Sequence, residues 1–114
     1  MSAYLRPQPM VPADAVTGAA GAAAVITYAA VAGARHVIGG VAWSYGAAPT
    51  GGGLKIEDGA GNVVFAVDIT AAGPGSIAFP APREGSVNTA LVITLLAPGG
   101  AVVGKVSALG HWTE

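Results

Sequence analysis

Along most of this chain apolar and polar positions alternate with a period of two, the spacing that sends successive side chains to opposite faces of a β-strand. Ala24-Val25-Ile26-Thr27-Tyr28 is β-branched and aromatic and lies between Gly21 and Gly33. His36 to Tyr45 reads as a long strand, with Val37, Gly39, Val41, Trp43 and Tyr45 on one face. His36, Ile38, Gly40, Ala42 and Ser44 fall on the other. Gly39-Gly40 in its middle points to a bend, a bulge or a close backbone approach. Leu54 to Glu57 is a short half-buried strand. Val63, Phe65, Val67 and Ile69 alternate with Val64, Ala66, Asp68 and Thr70. Ile77 and Phe79 mark a short strand, expected to stop at Pro80 and Pro82 because proline cannot donate to a ladder. Thr89 to Leu96 is apolar on both faces, as a central strand or one with a partner-facing side would be. Val102 to Leu109 is the last strand, and Gly110 to Glu114 ends the chain.

The breaks between these segments have turn chemistry. Ala47 to Gly53, Ala71 to Gly75, Arg83 to Ser86 and Pro98-Gly99-Gly100 are loops. Asp58-Gly59-Ala60-Gly61-Asn62 is the clearest hairpin signal, since Gly, Asn and Asp supply the positive φ that tight turns need. It predicts that Leu54–Glu57 and Val63–Ile69 pair antiparallel. The Ala-rich stretch from Ala19 to Ala34 is ambiguous, because alanine favours helix. Its glycines and the Val25–Tyr28 cluster argue for strand. About seven short strands separated by turns predict an all-β fold, a single antiparallel β-sandwich of jelly-roll-like form spanning residues 21–114.

Residues 1–20 read as an extended N-terminal arm rich in proline and alanine. Pro7, Pro9 and Pro12 exclude a regular helix or a central strand there. Tyr4, Leu5, Arg6 and Met10 are the residues by which such an arm would dock on a neighbouring subunit, and a loose terminus is the other reading. Deleting residues 2–16 is expected to leave every core strand intact.

Composition changes the picture at the surface. Only 10% of the residues are charged, against 53% hydrophobic, and no stretch is suited to a spanning helix. Soluble domains usually carry about a quarter of their residues charged. A surface this poor in charge is weakly protected against association, so the chain reads as a component of an assembly. The two-sided strand residues Leu91, Ile93 and Leu95, with His111 and Trp112 at the C-terminus, are the candidate subunit contacts. The net charge of −1 leaves no electrostatic footprint for nucleic acid. No apolar signal-peptide core precedes Pro12, which suggests a protein made in the cytoplasm.

Candidate chemistry is sparse. Cysteine is absent, which removes disulfides and thiolate metal sites. His36 and His111 are the only histidines, and no paired metal-ligand spacing surrounds them. Asp58 and Asn62 lack the remaining positions of a calcium loop, and Gly51-Gly52-Gly53 lacks the Lys-Ser/Thr of a phosphate loop. No nucleophile elbow surrounds a serine. The carboxylates Glu57, Asp58, Asp68 and Glu84 sit in turns or on strand edges. No catalytic residue, cofactor or metal is expected. Trp43 and Tyr45 could stack a sugar or a base, but their alternation suits a core.

Several phrases together resemble small virion structural proteins of tailed bacteriophages. They are Arg35 to Tyr45, Pro49-Thr50-Gly51-Gly52, Ala71 to Gly75, and the ending from Val103-Gly104-Lys105 to Gly110-His111-Trp112. Within that group the chain is similar to head decoration (cement) proteins. The resemblance covers residues 20 to 114 and implies a β-sandwich that binds the outer surface of the capsid. It further implies the major capsid protein as partner, clustering as a homotrimer, and residence in the virion. A carbohydrate- or host-surface-binding module of a tail or head fibre, using Trp43, Tyr45 or Trp112, is the alternative. An exposed aromatic platform would favour that alternative, and burial of all three rings the decoration protein.

Overall fold

A computed structural model describes residues 14–114. Eight strands run in order: β1 Ala15–Thr17, β2 Ala24–Tyr28, β3 His36–Tyr45, β4 Gly53–Asp58, β5 Val63–Asp68, β6 Gly73–Glu84, β7 Leu91–Leu95 and β8 Gly104–Thr113. They make two four-stranded antiparallel sheets, ordered β1-β8-β3-β6 and β2-β7-β4-β5. The pairs nest inside one another: β4 with β5, β3 with β6, β2 with β7, β1 with β8. One long hairpin is thus rolled into two stacked sheets, the jelly-roll form of the β-sandwich. The described residues contain no α-helix, so the Ala-rich stretch resolves as strand β2 and its flanking loops.

The innermost hairpin follows from its turn. The Asp58 N–H donates to Asn62 O at 2.9 Å, and Gly59 and Gly61 both take φ of +81°, where a side chain would be strained. Strand β4 then pairs with β5 from Gly53↔Asp68 to Glu57↔Val63, as the sequence pattern predicts.

The core lies between the sheets. Ile26, Ile38, Val41, Leu54, Ile56, Ile93, Leu95 and Val106 are fully buried there. Each such side chain contributes about 1.5–3 kcal/mol relative to exposure. Tyr45 is buried among them, and its hydroxyl donates to Leu96 O at 2.7 Å and accepts from the Gly53 N–H at 3.2 Å. That one hydroxyl ties β3 to the opposite sheet. Burial pushes the phenol above its ordinary pKa, opposed by the Gly53 hydrogen bond, so it stays protonated.

Four expectations need correction. First, the face assignment of β3 fails beyond its glycines. Ile38 and Val41 both enter the core although three positions apart, because the chain kinks at Gly39-Gly40. A Cβ on Gly40 would lie 2.4 Å from Ile77 O, so the two backbones approach where only glycine fits. Second, Pro80 and Pro82 do not stop β6. Ile38 pairs with Arg83 and Gly40 with Ala78, so Phe79 to Pro82 bulge out opposite Gly39. An edge strand at a bulge needs no proline N–H. Third, the arm does not extend to Ala20. Ala15–Thr17 forms β1 and pairs with Ser107, Val106 and Lys105, because this run is free of proline and Val16 packs against the core. Fourth, β8 runs on from Leu109 to Thr113, pairing with the start of β3. The arm residues Tyr4, Leu5, Arg6 and Met10 lie outside the described residues.

Candidate functional site

The first candidate site is the flank where edge strands β5 and β6 face each other across the sandwich. Their alternation turns Phe65 and Phe79 towards the gap, and the rings meet edge to face with centroids 5.4 Å apart. The Arg83 guanidinium covers the outer face of Phe79 at 5.2 Å. Both rings and Val67 are only half-buried. At the hairpin end Ile56 pairs with Phe65 but Glu57 pairs with Val63, which leaves Val64 as an extra residue. This bulge breaks the alternation, so both valines face outwards, Val63 at 49% and Val64 at 43% exposure. The expected inward place of Val63 is therefore wrong. The adjoining Glu57 carboxylate accepts from the Gly61 N–H at 2.9 Å and lies 3.6 Å from the Lys55 ammonium. The flank is an apolar surface on a molecule that has few charges to spare.

The second candidate is a polar cluster at one end of the sandwich, assembled from four elements. Asp14 precedes β1, Tyr28 ends β2, His36 begins β3 and His111 lies near the end of β8. His36 is buried, and its Nε2 is 2.7 Å from Ala29 O. A carbonyl only accepts, so Nε2 carries the hydrogen. In the neutral ring His36 Nδ1 is then an acceptor, and His111 Nε2, 2.9 Å away, supplies the hydrogen. Tyr28 stacks on His111 with centroids 3.6 Å apart and planes 6° from parallel, and its hydroxyl donates to the Asp14 carboxylate. Burial foremost, and then the neighbouring His36, hold His111 below the ordinary histidine pKa; Asp14 opposes this. Burial, the hydrogen bond to Asp14 and the charge of Asp14 raise Tyr28 well above the ordinary phenol range. At neutral pH Tyr28 is therefore a phenol donor and His111 a neutral imidazole.

Other residues singled out from sequence fall elsewhere. Leu91, Ile93 and Leu95 are 3%, 0% and 0% exposed, inside the sandwich. They are core residues and not subunit contacts, because β7 lies between β2 and β4 with this face turned to the opposite sheet. His111 belongs to the polar cluster, and the Trp112 indole N–H donates to the Glu114 carboxylate at 3.1 Å. Asp58 serves its loop: one oxygen accepts from the Ser86 N–H at 2.9 Å, the other from the Ser86 hydroxyl at 2.6 Å. Glu84 pairs with Arg35 at 3.6 Å. Among the described residues no three His, Asp or Glu are placed to hold a metal ion.

The aromatics make no open platform. Tyr45 is core, and Trp112 is half-buried. The Trp43 indole lies over Gly75, where a Cβ would come within 2.5 Å of the ring. Trp43 also borders a shallow, open depression of about 240 Å³ with Ala42, Ser44, Pro74, Lys105 and Ser107.

No protein family matches the chain, and no curated protein matches it by sequence. Among solved structures the chain is similar to a CBM4 protein at 12% identity and TM-score 0.41, over 88% of this chain and 81% of that one. It is also similar to the carbohydrate-binding module CBM36 in complex with calcium and xylotriose, at 13% identity and TM-score 0.44, over 86% and 78%. A third similar structure is the virus-like particle of the extra small virus of the giant freshwater prawn Macrobrachium rosenbergii. There the identity is 16% and the TM-score 0.36, over 86% and 75% of the two chains.

Proposed function

We propose that this chain is a non-enzymatic structural protein that attaches to a protein shell, as a decoration protein does on the outer surface of a tailed-phage head. The partner is then the major capsid protein, and the β5/β6 flank is the surface that meets it. The observation that carries the reading is the outward pair Val63 and Val64 beside half-open Phe65 and Phe79, on a chain with 10% charged residues. Apolar area of this kind gains by being covered. Repeated over many copies, such contacts strap shell subunits together. Clustering as a homotrimer, with Tyr4, Leu5, Arg6 and Met10 as a second anchor, belongs to the same proposal.

A second reading, a carbohydrate-binding module, rests on Trp43 beside the depression that Ser44, Ser107 and Lys105 also line. The withdrawal of Tyr45 into the core and the half-burial of Trp43 and Trp112 disfavour it.

Co-sedimentation with capsids that lack the protein separates the two. Wild-type protein should pellet with the capsids and saturate. A double Val63→Asp, Val64→Asp variant should bind about a hundredfold more weakly, since each valine buried in a contact contributes about 1.5 kcal/mol. Its unfolding midpoint should barely move, because exposed positions usually shift stability by less than about 0.5 kcal/mol. Wild-type protein that stays in the supernatant at micromolar concentration while binding an oligosaccharide would replace the first reading with the second.

A further inference from the structure

We propose that the His36–His111 pair is an acid-operated latch, which in its closed form accepts one proton and which a second proton opens. Opening frees the end of β8 and the Asp14 entry to β1. The proposal is independent of the shell-binding reading.

The hydrogen-bond directions carry it. His36 Nε2–H is committed to Ala29 O, so the one site on His36 that can take a proton is Nδ1. That nitrogen faces His111 Nε2–H at 2.9 Å. Once His111 carries hydrogens on both ring nitrogens, a proton on His36 Nδ1 would set two N–H groups against each other, which no rotation of a buried ring relieves while His111 stays in place. A first proton meets no such obstacle. It enters at His111 Nδ1 and leaves the donated hydrogen bond to His36 intact. The resulting cation lies face to face with the Tyr28 ring, with Asp14 beyond the Tyr28 hydroxyl. The second proton must therefore displace His111 from both His36 and the Tyr28 stack. The four elements packed at this point supply Asp14, Tyr28, His36 and His111, and among the described residues no other ionisable side chain bonds to the pair. Nearby charges are engaged elsewhere: Arg35 with Glu84, Glu114 with the Trp112 indole, and Asp58 with Ser86.

What opens is set by what the cluster holds. The Arg35 and Glu114 backbones exchange hydrogen bonds of 2.8 and 2.9 Å, closing β3 against β8 beside the pair. On the other side Tyr28 holds Asp14 at the head of the three-residue β1, an edge strand paired with β8. Thermodynamic linkage agrees in sign. With His111 held below its unfolded value of 6.5, the unfolded chain takes the proton first as pH falls. The His111 part of the cluster's stability is fully present above that value and declines below it, before the second proton opens the latch.

The test is a pH titration of the full chain by NMR, following histidine tautomers and amide exchange together, with rates corrected for the chemical effect of pH. At pH 8 His36 should be the Nε2–H tautomer with Nδ1 unprotonated. Below the first protonation, the opening constant for residues 111–114 and 15–17 should rise about tenfold per pH unit, as one linked proton requires. In His36→Gln the side-chain amide can donate to Ala29 O and accept from His111, so that rise should disappear. A wild-type chain that takes up both protons with those amides still protected overturns the latch, as does a His36→Gln chain whose exchange follows pH as the wild type does. Should the variant not fold, the wild-type titration decides alone.

Discussion

Ile93→Ala should lower the stability of the isolated chain by about 2–5 kcal/mol, the usual range for removing a large aliphatic side chain from a packed core. Ile93 is 0% exposed, and its strand β7 is paired on both sides, with Ile26 and Ile56 as its partners. All three side chains are fully buried, so the lost methyl groups leave a cavity that rigid strands cannot collapse into. Domains of this size are stable by only about 5–15 kcal/mol, so the loss is a large share of the total. Chemical denaturation monitored by circular dichroism measures it. A role for Ile93 in subunit contact predicts the opposite pattern: an unchanged unfolding midpoint and a changed oligomeric state.

Gly40→Ala should cost about 2–3 kcal/mol, at the upper end of what overpacking usually does. The new methyl carbon would sit 2.4 Å from Ile77 O and 3.1 Å from the Ala78 Cα, both backbone atoms of the paired strand. Relief requires β6 to move away from β3, which breaks the ladder on either side of the Phe79–Pro82 bulge. Gly46→Ala is the control, since its Cβ would meet only Val103 O at 3.7 Å. It should stay within about 0.5 kcal/mol of wild type. Equal midpoints for the two variants would show that β6 is free to shift, and would remove Gly40 from the account of the kink.

Alternation and turn chemistry carried most of the fold. His36–Tyr45 and Ala24–Tyr28 were legible because β-branched and aromatic residues cluster in both, with Gly46 closing the first and alanines flanking the second. The Asp58–Asn62 hairpin was legible because its glycines have one conformational use. Errors arose where a local rule met a tertiary exception. Prolines end a strand only where their N–H is wanted, and the bulge in β6 does not want it. The extra residues at Gly39-Gly40 and Val64 shift the phase of the pattern, which no count of apolar positions reveals. The pattern points to contacts at Leu91, Ile93 and Leu95, which the fold buries, because a two-sided apolar strand looks the same whether its second face meets a sheet or a partner.

The candidate sites were less legible for a related reason. Val63 and Val64 face outwards only because of the bulge, and a pair of adjacent valines otherwise reads as one inside and one outside. The polar cluster joins positions 14, 28, 36 and 111, which nested pairing of β1, β2, β3 and β8 brings to one end of the sandwich. Tyr28 and His36 at strand termini were the available signal, and the spacing rules for metal ligands were the wrong filter for a hydrogen-bonded imidazole pair.

The central claim is that the β5/β6 flank is covered by shell protein. Hydroxyl-radical footprinting of the chain, free and bound to capsids that lack it, measures this side chain by side chain. The account predicts that Val63, Val64, Phe65 and Phe79 lose most of their reactivity on binding, while Leu109 and Val25 on other surfaces keep theirs. Unchanged reactivity at the flank in a saturated complex would contradict it.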